Sequence, residues 1–226
     1  YSRQYINKKD IKAVNFVLRS NLITQGSITP KFEKEICKIV KSKHAIATNS
    51  ATSSLHIACL ALGLGKGDIL WTVSNSFVAS ANCGKYCNAE VDFVDIEEST
   101  YNICCKDLHK KLIKAKKNKK LPKILVVVHL AGLPAKMKKI KQLSKIFNFK
   151  IIEDASHALG AKIYKYPVGS CKFSDITVFG FHPVKMITTG EGGIATTNSL
   201  ILDKQMSLLK EKEKEKKKFK NKKKNL

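Results

Sequence analysis

Arginine is nearly absent from this chain. Arg3 and Arg19 are its only two, and every other basic residue is a lysine. A formal net charge of +24 would ordinarily point to nucleic acid. Phosphate and base-edge recognition favours the planar arginine fork, however. Much of the excess sits in two polar runs, residues 114–120 and 210–224, which read as solvated lysine-rich surface. No specific nucleic-acid partner is therefore expected. Long apolar runs are also missing: nothing approaches the ~18–20 consecutive residues that span a bilayer. The opening YSRQYINKKDIKAV lacks the apolar core of a secretory signal. These absences lead to the expectation of a soluble cytoplasmic protein with no membrane partner. The missing initiator methionine reads as a trimmed or incomplete start.

No C-x-x-C pair occurs among the seven cysteines, and an odd number suits a reducing compartment. Cys83 and Cys87 are spaced to share a helix face. With no second ligand pair at suitable spacing, buried free thiols are expected and no metal site. What is present is apolar bulk: 43% of 226 residues are hydrophobic, enough for one sizeable core and by default one domain.

Strand and helix patterns alternate along the chain. Residues 10–20 read as a helix with Asp10 as candidate N-cap. Thr29 and Pro30 open a second, with Phe32, Ile36, Ile39 and Val40 at helical spacing. An apolar run at 44–48 leads through Asn49-Ser50-Ala51-Thr52-Ser53-Ser54 into a helix ending at Leu62. Strands are expected at 68–73, 90–94, 123–129, 149–153, 174–179 and 193–197. Helices are expected at 77–86, 105–117 and 136–147. The run KILVVVH at 123–129 has the continuous β-branched character of a strand buried on both faces. Such alternation predicts an α/β fold with a mainly parallel sheet flanked by helices. The composition changes near residue 210, where a lysine-rich segment cannot offset its ordering entropy by tertiary packing. Residues 1–208 are read as the folded domain and 209–226 as a solvated tail.

Three segments carry candidate chemistry. Lys185 follows the apolar, aromatic stretch Phe179-Gly180-Phe181-His182-Pro183-Val184 and precedes Thr189-Gly190-Glu191-Gly192-Gly193. Partial burial there would favour the neutral amine that condenses with an aldehyde; the commoner role of such a lysine, capping a strand, stands beside it. Asp154 lies just past a buried strand, where ligands sit in open α/β sheets, and an N-cap or loop role is equally open. His157 follows three residues on. Residues 49–54 place free amides and hydroxyls at a helix N-terminus, suited to a dianionic phosphate or simply to capping. A reactive lysine, an acid and a phosphate cradle are what pyridoxal phosphate requires, along with a group to stack on its ring.

In this order and spacing, NSATSSLHIACLALGLGKGD, FVASANCGKYCNAEVDFVDIEESTYNI, VHLAGLPAKM, IIEDASHALGA, VGSCKFSDITVFGFHPVKMITTGEGG and IATTN resemble the sugar aminotransferases of the DegT/DnrJ/EryC1/StrS family. These are fold-type I pyridoxal-phosphate enzymes, and the resemblance runs to about residue 208. It is nearest to the branch that aminates a UDP-linked dideoxy sugar in pseudaminic acid synthesis. It implies the large domain of that fold, with pyridoxal 5'-phosphate as cofactor, a UDP-sugar and L-glutamate as substrates, and a homodimer. Lys185 then matches the cofactor-bearing lysine and general base, and Asp154 the partner of the pyridine nitrogen. His157 matches the contact to the ring oxygen, Phe77 the aromatic over the ring, and Thr52 and Ser53 the phosphate-binding turn. Two departures stand out. Gly180 occupies a position where the family usually has a phosphate-binding serine. The small C-terminal domain is missing, so the chain by itself is expected to bind cofactor weakly and to be inactive.

Overall fold

A computed structural model describes residues 3–210. Its elements, in chain order, are α1 (Lys8–Leu18), α2 (Ile28–Val40), β1 (His44–Thr48), α3 (Ala51–Ala61), β2 (Ile69–Thr72), α4 (Ala79–Tyr86), β3 (Glu90–Phe93), α5 (Cys105–Lys117), β4 (Ile124–Val128), α6 (Met137–Phe147), β5 (Lys150–Asp154), β6 (Lys162–Ile163), β7 (Tyr166–Pro167), β8 (Ile176–Gly180), β9 (Gly193–Thr197) and α7 (Leu200–Lys210). Seven strands form one sheet in the order β1-β9-β8-β5-β4-β2-β3. The run β3-β2-β4-β5-β8 is parallel, and β9 is antiparallel to both β8 and β1. Helices α4, α5 and α6 return the chain to the same end of the sheet between β2, β3, β4 and β5, and the segment carrying the β6–β7 hairpin does so between β5 and β8.

Alternation along the central strands builds a core on each face. From β4, Leu125 and Val127 join Leu108 and Leu112 of α5 and Met137 and Ile140 of α6. Ile124 and Val126 face the other way, with Ile152, Val178 and Leu55 and Ala58 of α3. That double burial is why β4 reads as an unbroken apolar run. The parallel strands end together on one edge, at Thr72, Val128, Asp154 and Gly180. Among the described residues no helix is long and apolar enough to cross a membrane.

The expected elements are found with small shifts. Asn7, not Asp10, is the N-cap of α1: its side chain accepts from the Lys9 and Asp10 amides, and Asp10 returns a bond to the Asn7 amide. A capping box places the acid three residues inside the cap, which is why Asp10 looked like a start signal. Asp154 is the last residue of β5, paired with Val128, and not a residue beyond the strand. The β6–β7 hairpin was not foreseen; two-residue strands leave no periodicity to read. Helix α7 runs to Lys210, past the boundary expected at 208, and residues 211–226 of the lysine-rich tail lie outside the described residues. Cys59, Cys83, Cys87, Cys105 and Cys171 are buried free thiols, while Cys37 and Cys104 are half-buried.

One polar network lies inside this core. Glu153, on the α5–α6 side of β5, is buried against His129, whose Nε2 lies 2.7 Å from Glu153 Oε2. The Ala135 amide donates to His129 Nδ1, so the ring proton sits on Nε2 and points at the carboxylate. Ser174 and Thr177 hydroxyls donate to Glu153 Oε1. Burial pushes this carboxyl's pKa up, but the His129 and hydroxyl donors outweigh it and hold it below its ordinary value. A carboxyl whose folded pKa is depressed contributes stability above its unfolded value, ~4.3, and loses it as pH falls through the folded value. Glu153→Ala should therefore cost about 3–5 kcal/mol in urea titrations at pH 7, because it strands a buried donor set. The variant should also lose part of the acid destabilisation that the wild type shows below pH ~4. Equal urea midpoints would show the network to be idle.

Candidate active site

Asp154 closes β5 at the shared C-terminal edge of the parallel strands, where a ligand can approach the sheet. Its carboxylate is 6% exposed and is held on both sides. Oδ2 accepts from Ser80 Oγ at 2.6 Å; Oδ1 accepts from Ser156 Oγ at 2.7 Å and from the Ser156 amide at 3.2 Å. The turn after Asp154 brings His157 onto the same edge. Gly132 lies against it: a Cβ there would fall 2.6 Å from the His157 carbonyl oxygen, and its φ of +87° also favours glycine.

Lys185 reaches this edge from a loop closed at its base. The Phe181 amide donates to Gly192 O, and the Thr189 amide and Thr188 hydroxyl donate to Phe181 O. Phe181 is buried, edge-on to Phe32 at 5.2 Å, and so anchors the loop in the core. At its crest Lys185 Nζ lies 2.6 Å from His157 Nε2. Burial lowers the Lys185 pKa from 10.5, against the opposing pull of Asp154. His157 is lowered from 6.5 by burial first and by the Lys185 charge second, so its neutral imidazole predominates near pH 7 and accepts from the lysine. An open cleft of ≈ 1270 Å³ fronts Lys185 and His157, walled by Tyr5, Ile11 and Val14 of the N-terminal segment and by Thr188.

The first turn of α3 lies on the same edge. Ser50 is the N-cap, its hydroxyl accepting from the Ser53 amide at 3.2 Å. Thr48 Oγ1 donates to Ser50 O at 2.8 Å and pairs with Ser54 Oγ at 2.7 Å, which fixes the turn out of β1. Thr52 and Ser53, half-buried, sit in the first helical turn. Two glycines let the sheet press against this turn. A Cβ on Gly193 would fall 2.2 Å from the Ser50 carbonyl carbon. One on Gly180 would come to 3.3 Å from Ala51 Cβ and 3.5 Å from Ser156 Oγ, so the helix start and the Asp154 turn are neighbours.

The structure thus joins Asp154, His157 and Lys185 at one place, with Thr52 and Ser53 alongside. Phe77 stands apart: it is 73% exposed and has no ring contact among the described residues. It precedes α4 and its carbonyl accepts from the Ser80 amide at 3.1 Å. Ser80 and Ser156 were not foreseen. Uncharged hydroxyls leave no signal of their own in a sequence, and only their places within FVAS and EDAS could have raised them.

The lowered basicity of Lys185 has a measurable consequence. Burial disfavours its ammonium relative to an ordinary lysine, so its free amine appears at lower pH. In competitive acetylation between about pH 7 and 11, read by peptide mass spectrometry, Lys185 should reach half-reactivity below the lysine of an unstructured reference peptide. Coincident curves would remove the claim of a tuned amine.

Comparison with known proteins agrees with this geometry. The model of the DegT/DnrJ/EryC1/StrS aminotransferase family matches residues 4–226. A UDP-4-amino-4,6-dideoxy-N-acetyl-beta-L-altrosamine transaminase of Campylobacter jejuni (serotype O:23/36, strain 81-176) is 39% identical over 210 residues, 93% of this chain and 54% of that protein. Helicobacter pylori PseC, described as an aminotransferase involved in the biosynthesis of pseudoaminic acid, superposes with a TM-score of 0.85 at 34% identity, covering 92% of this chain and 54% of its own. NtdA of Bacillus subtilis, solved with bound cofactor PMP, gives a TM-score of 0.76 at 27% identity, covering 90% and 45%. The chain spans about half the length of the curated relatives it matches. It belongs to the DegT/DnrJ/EryC1/StrS aminotransferase family.

Proposed function

We propose that the whole protein is a cytoplasmic, pyridoxal-phosphate-dependent homodimer that transfers an amino group from L-glutamate to the 4-keto carbon of a UDP-linked dideoxy sugar. The observation that carries this reading is the meeting of Lys185, His157 and Asp154 at the C-terminal edge of the parallel strands. The donor set fits the cofactor: an amine of lowered basicity, a buried carboxylate and a helix N-terminus with hydroxyls lie on one edge. Gly180 lies between the last two, where a Cβ would come to 3.3 Å from Ala51 Cβ and 3.5 Å from Ser156 Oγ. The Campylobacter and Helicobacter relatives support the sugar class. Ile11 and Val14 of α1 line the cleft and are exposed, as are Phe16 and Leu18 of the same helix, which supports a partner that covers them.

Bound here, pyridoxal phosphate supplies an aldehyde and an electron-withdrawing ring. Asp154 would hold the proton of the ring nitrogen, and Thr52 and Ser53, with the free amides of the α3 start, would hold the phosphate. Phe77 would shield the ring from water, and His157 would contact the ring oxygen. Lys185 Nζ, whose burial favours the free amine, would take the proton from the donor's Cα and later return one to the sugar's C4. His157 Nε2 holds that amine in position between the two transfers.

Three outcomes test this. Borohydride reduction of the chain incubated with pyridoxal phosphate should fix the label on Lys185, and Lys185→Ala should lose it; unchanged labelling in the variant would dismiss the assignment. Asp154→Asn should keep the fold but nearly abolish aminotransfer, measured in a full-length family member altered at the matching aspartate. Gly180→Ser should tighten pyridoxal phosphate binding by about 1–3 kcal/mol through a restored charge-assisted hydrogen bond. Its Cβ meets only Ala51 and Ser156, at 3.3 and 3.5 Å. A serine variant that binds the cofactor no better would place the phosphate elsewhere.

A further inference from the structure

We infer that Ser80 is a positioning residue for Asp154: its buried hydroxyl sets the plane in which the carboxylate meets the cofactor's ring nitrogen. This rests on the cofactor reading above. Asp154 has two hydroxyl anchors of different kinds. Ser156 is two residues away in the same turn, and its bonds form wherever that turn goes. Ser80 comes from another element, 74 residues earlier, and so ties the first turn of α4 to the end of β5. Ser80 is 0% exposed, so no bulk water can stand in for its hydroxyl. Because Ser80 Oγ donates to Asp154, its 2.9 Å contact with Ser76 Oγ is a hydrogen bond when Ser76 donates, and Phe77 O, 3.3 Å from Ser76 Oγ, competes for that proton.

The depth of α4 on the sheet makes this reach possible. Gly84, one turn after Ser80, packs on β2 and β3. A Cβ there would lie 2.9 Å from Val91 Cγ2 and 3.2 Å from Leu70 Cβ. Only glycine lets the helix settle so low, and at that depth Ser80 Oγ meets Asp154 at 2.6 Å. Cys83 Sγ, donating to Ser80 O at 3.4 Å, holds the same turn from behind. Phe77 stands just before this turn. Fixing Ser80 therefore also fixes where the ring-covering aromatic begins.

A merely structural hydroxyl would affect stability alone. A positioning hydroxyl also affects what Asp154 does to bound cofactor. Threonine and valine are nearly the same size and differ at position 80 by a hydroxyl against a methyl, so they share any packing strain. The chain and its Ser80→Thr, Ser80→Val and Ser144→Ala variants should be titrated with pyridoxal phosphate, reading the visible absorption band and the dissociation constant, with urea midpoints in parallel. Ser144 is a buried hydroxyl on α6, bonded to Lys141 O, and serves as control. Ser80→Thr should bind within about twofold of wild type. Ser80→Val should bind about ten- to a hundredfold more weakly, as expected for one lost hydrogen bond to a charged group, with a displaced band. Ser144→Ala should match wild type. Equal affinity and spectra for the threonine and valine variants would overturn the inference, whatever their urea midpoints. A wild-type chain that binds no pyridoxal phosphate would instead overturn the cofactor reading beneath it.

Discussion

Two consecutive carboxylates on one central strand constrain this fold more than any other feature. Glu153 and Asp154 point to opposite faces of β5 because side chains alternate along a strand, and both are buried. Neither face offers water to solvate a charge, so each must supply its own donors. On the α5–α6 side the answer is His129 with Ser174 and Thr177. On the α3–α4 side it is Ser80 and Ser156. The first set draws β4, β5 and β8 together below the edge; the second draws α4 down onto it. The two networks share a backbone, and the chemistry of one side is mounted on the stability of the other.

Close backbone packing supplies the rest of the site. Gly193 against Ser50 and Gly84 against Leu70 and Val91 bring α3 and α4 nearer the sheet than side-chain packing would allow. Each glycine costs backbone entropy, and each returns a helix start positioned on the strand edge. The Lys185 loop is held differently, by one buried aromatic and three bonds at its base. Its crest carries Lys185 half-buried over His157, where desolvation of the ammonium prevails over the attraction of Asp154. Lys185 is set apart by the loop that withdraws it from water.

Much of this was legible in the sequence, and the rest was hidden for identifiable reasons. Helix α5 and strand β9 fall at their expected bounds because amphipathic and glycine-bounded patterns mark both ends. Asp154, His157 and Lys185 were singled out because charged or titratable residues next to apolar strands are conspicuous, the family resemblance alone gave them roles, and the structure brings the three together. Thr52 and Ser53 came from the same resemblance, within a hydroxyl cluster whose own signal is only that of a helix start. Ser80 was missed because a serine inside a helix that also buries Ala79 and Cys83 looks like filler. His129 and Glu153 were passed over because their pairing depends on register between β4 and β5, and that register is a property of the sheet. The N-cap of α1 was misplaced by three residues because a capping box puts a cap-forming side chain at both plausible starts, Asn7 and Asp10.

Phe77 shows how far a motif and a structure can differ in what they decide. The motif assigns it to the face of a ring; the structure leaves it exposed and fixes only where its backbone starts. That backbone is not free. Its carbonyl accepts from the Ser80 amide, Ser80 is bound to Asp154, and α4 is seated by Gly84. The start of the aromatic's segment is thus set by the same clamp that holds Asp154, while the Phe77 side chain itself stays exposed. The edge therefore fixes its acid and its lysine through short hydrogen bonds and leaves its apolar side chain unanchored, where small errors in placement cost least.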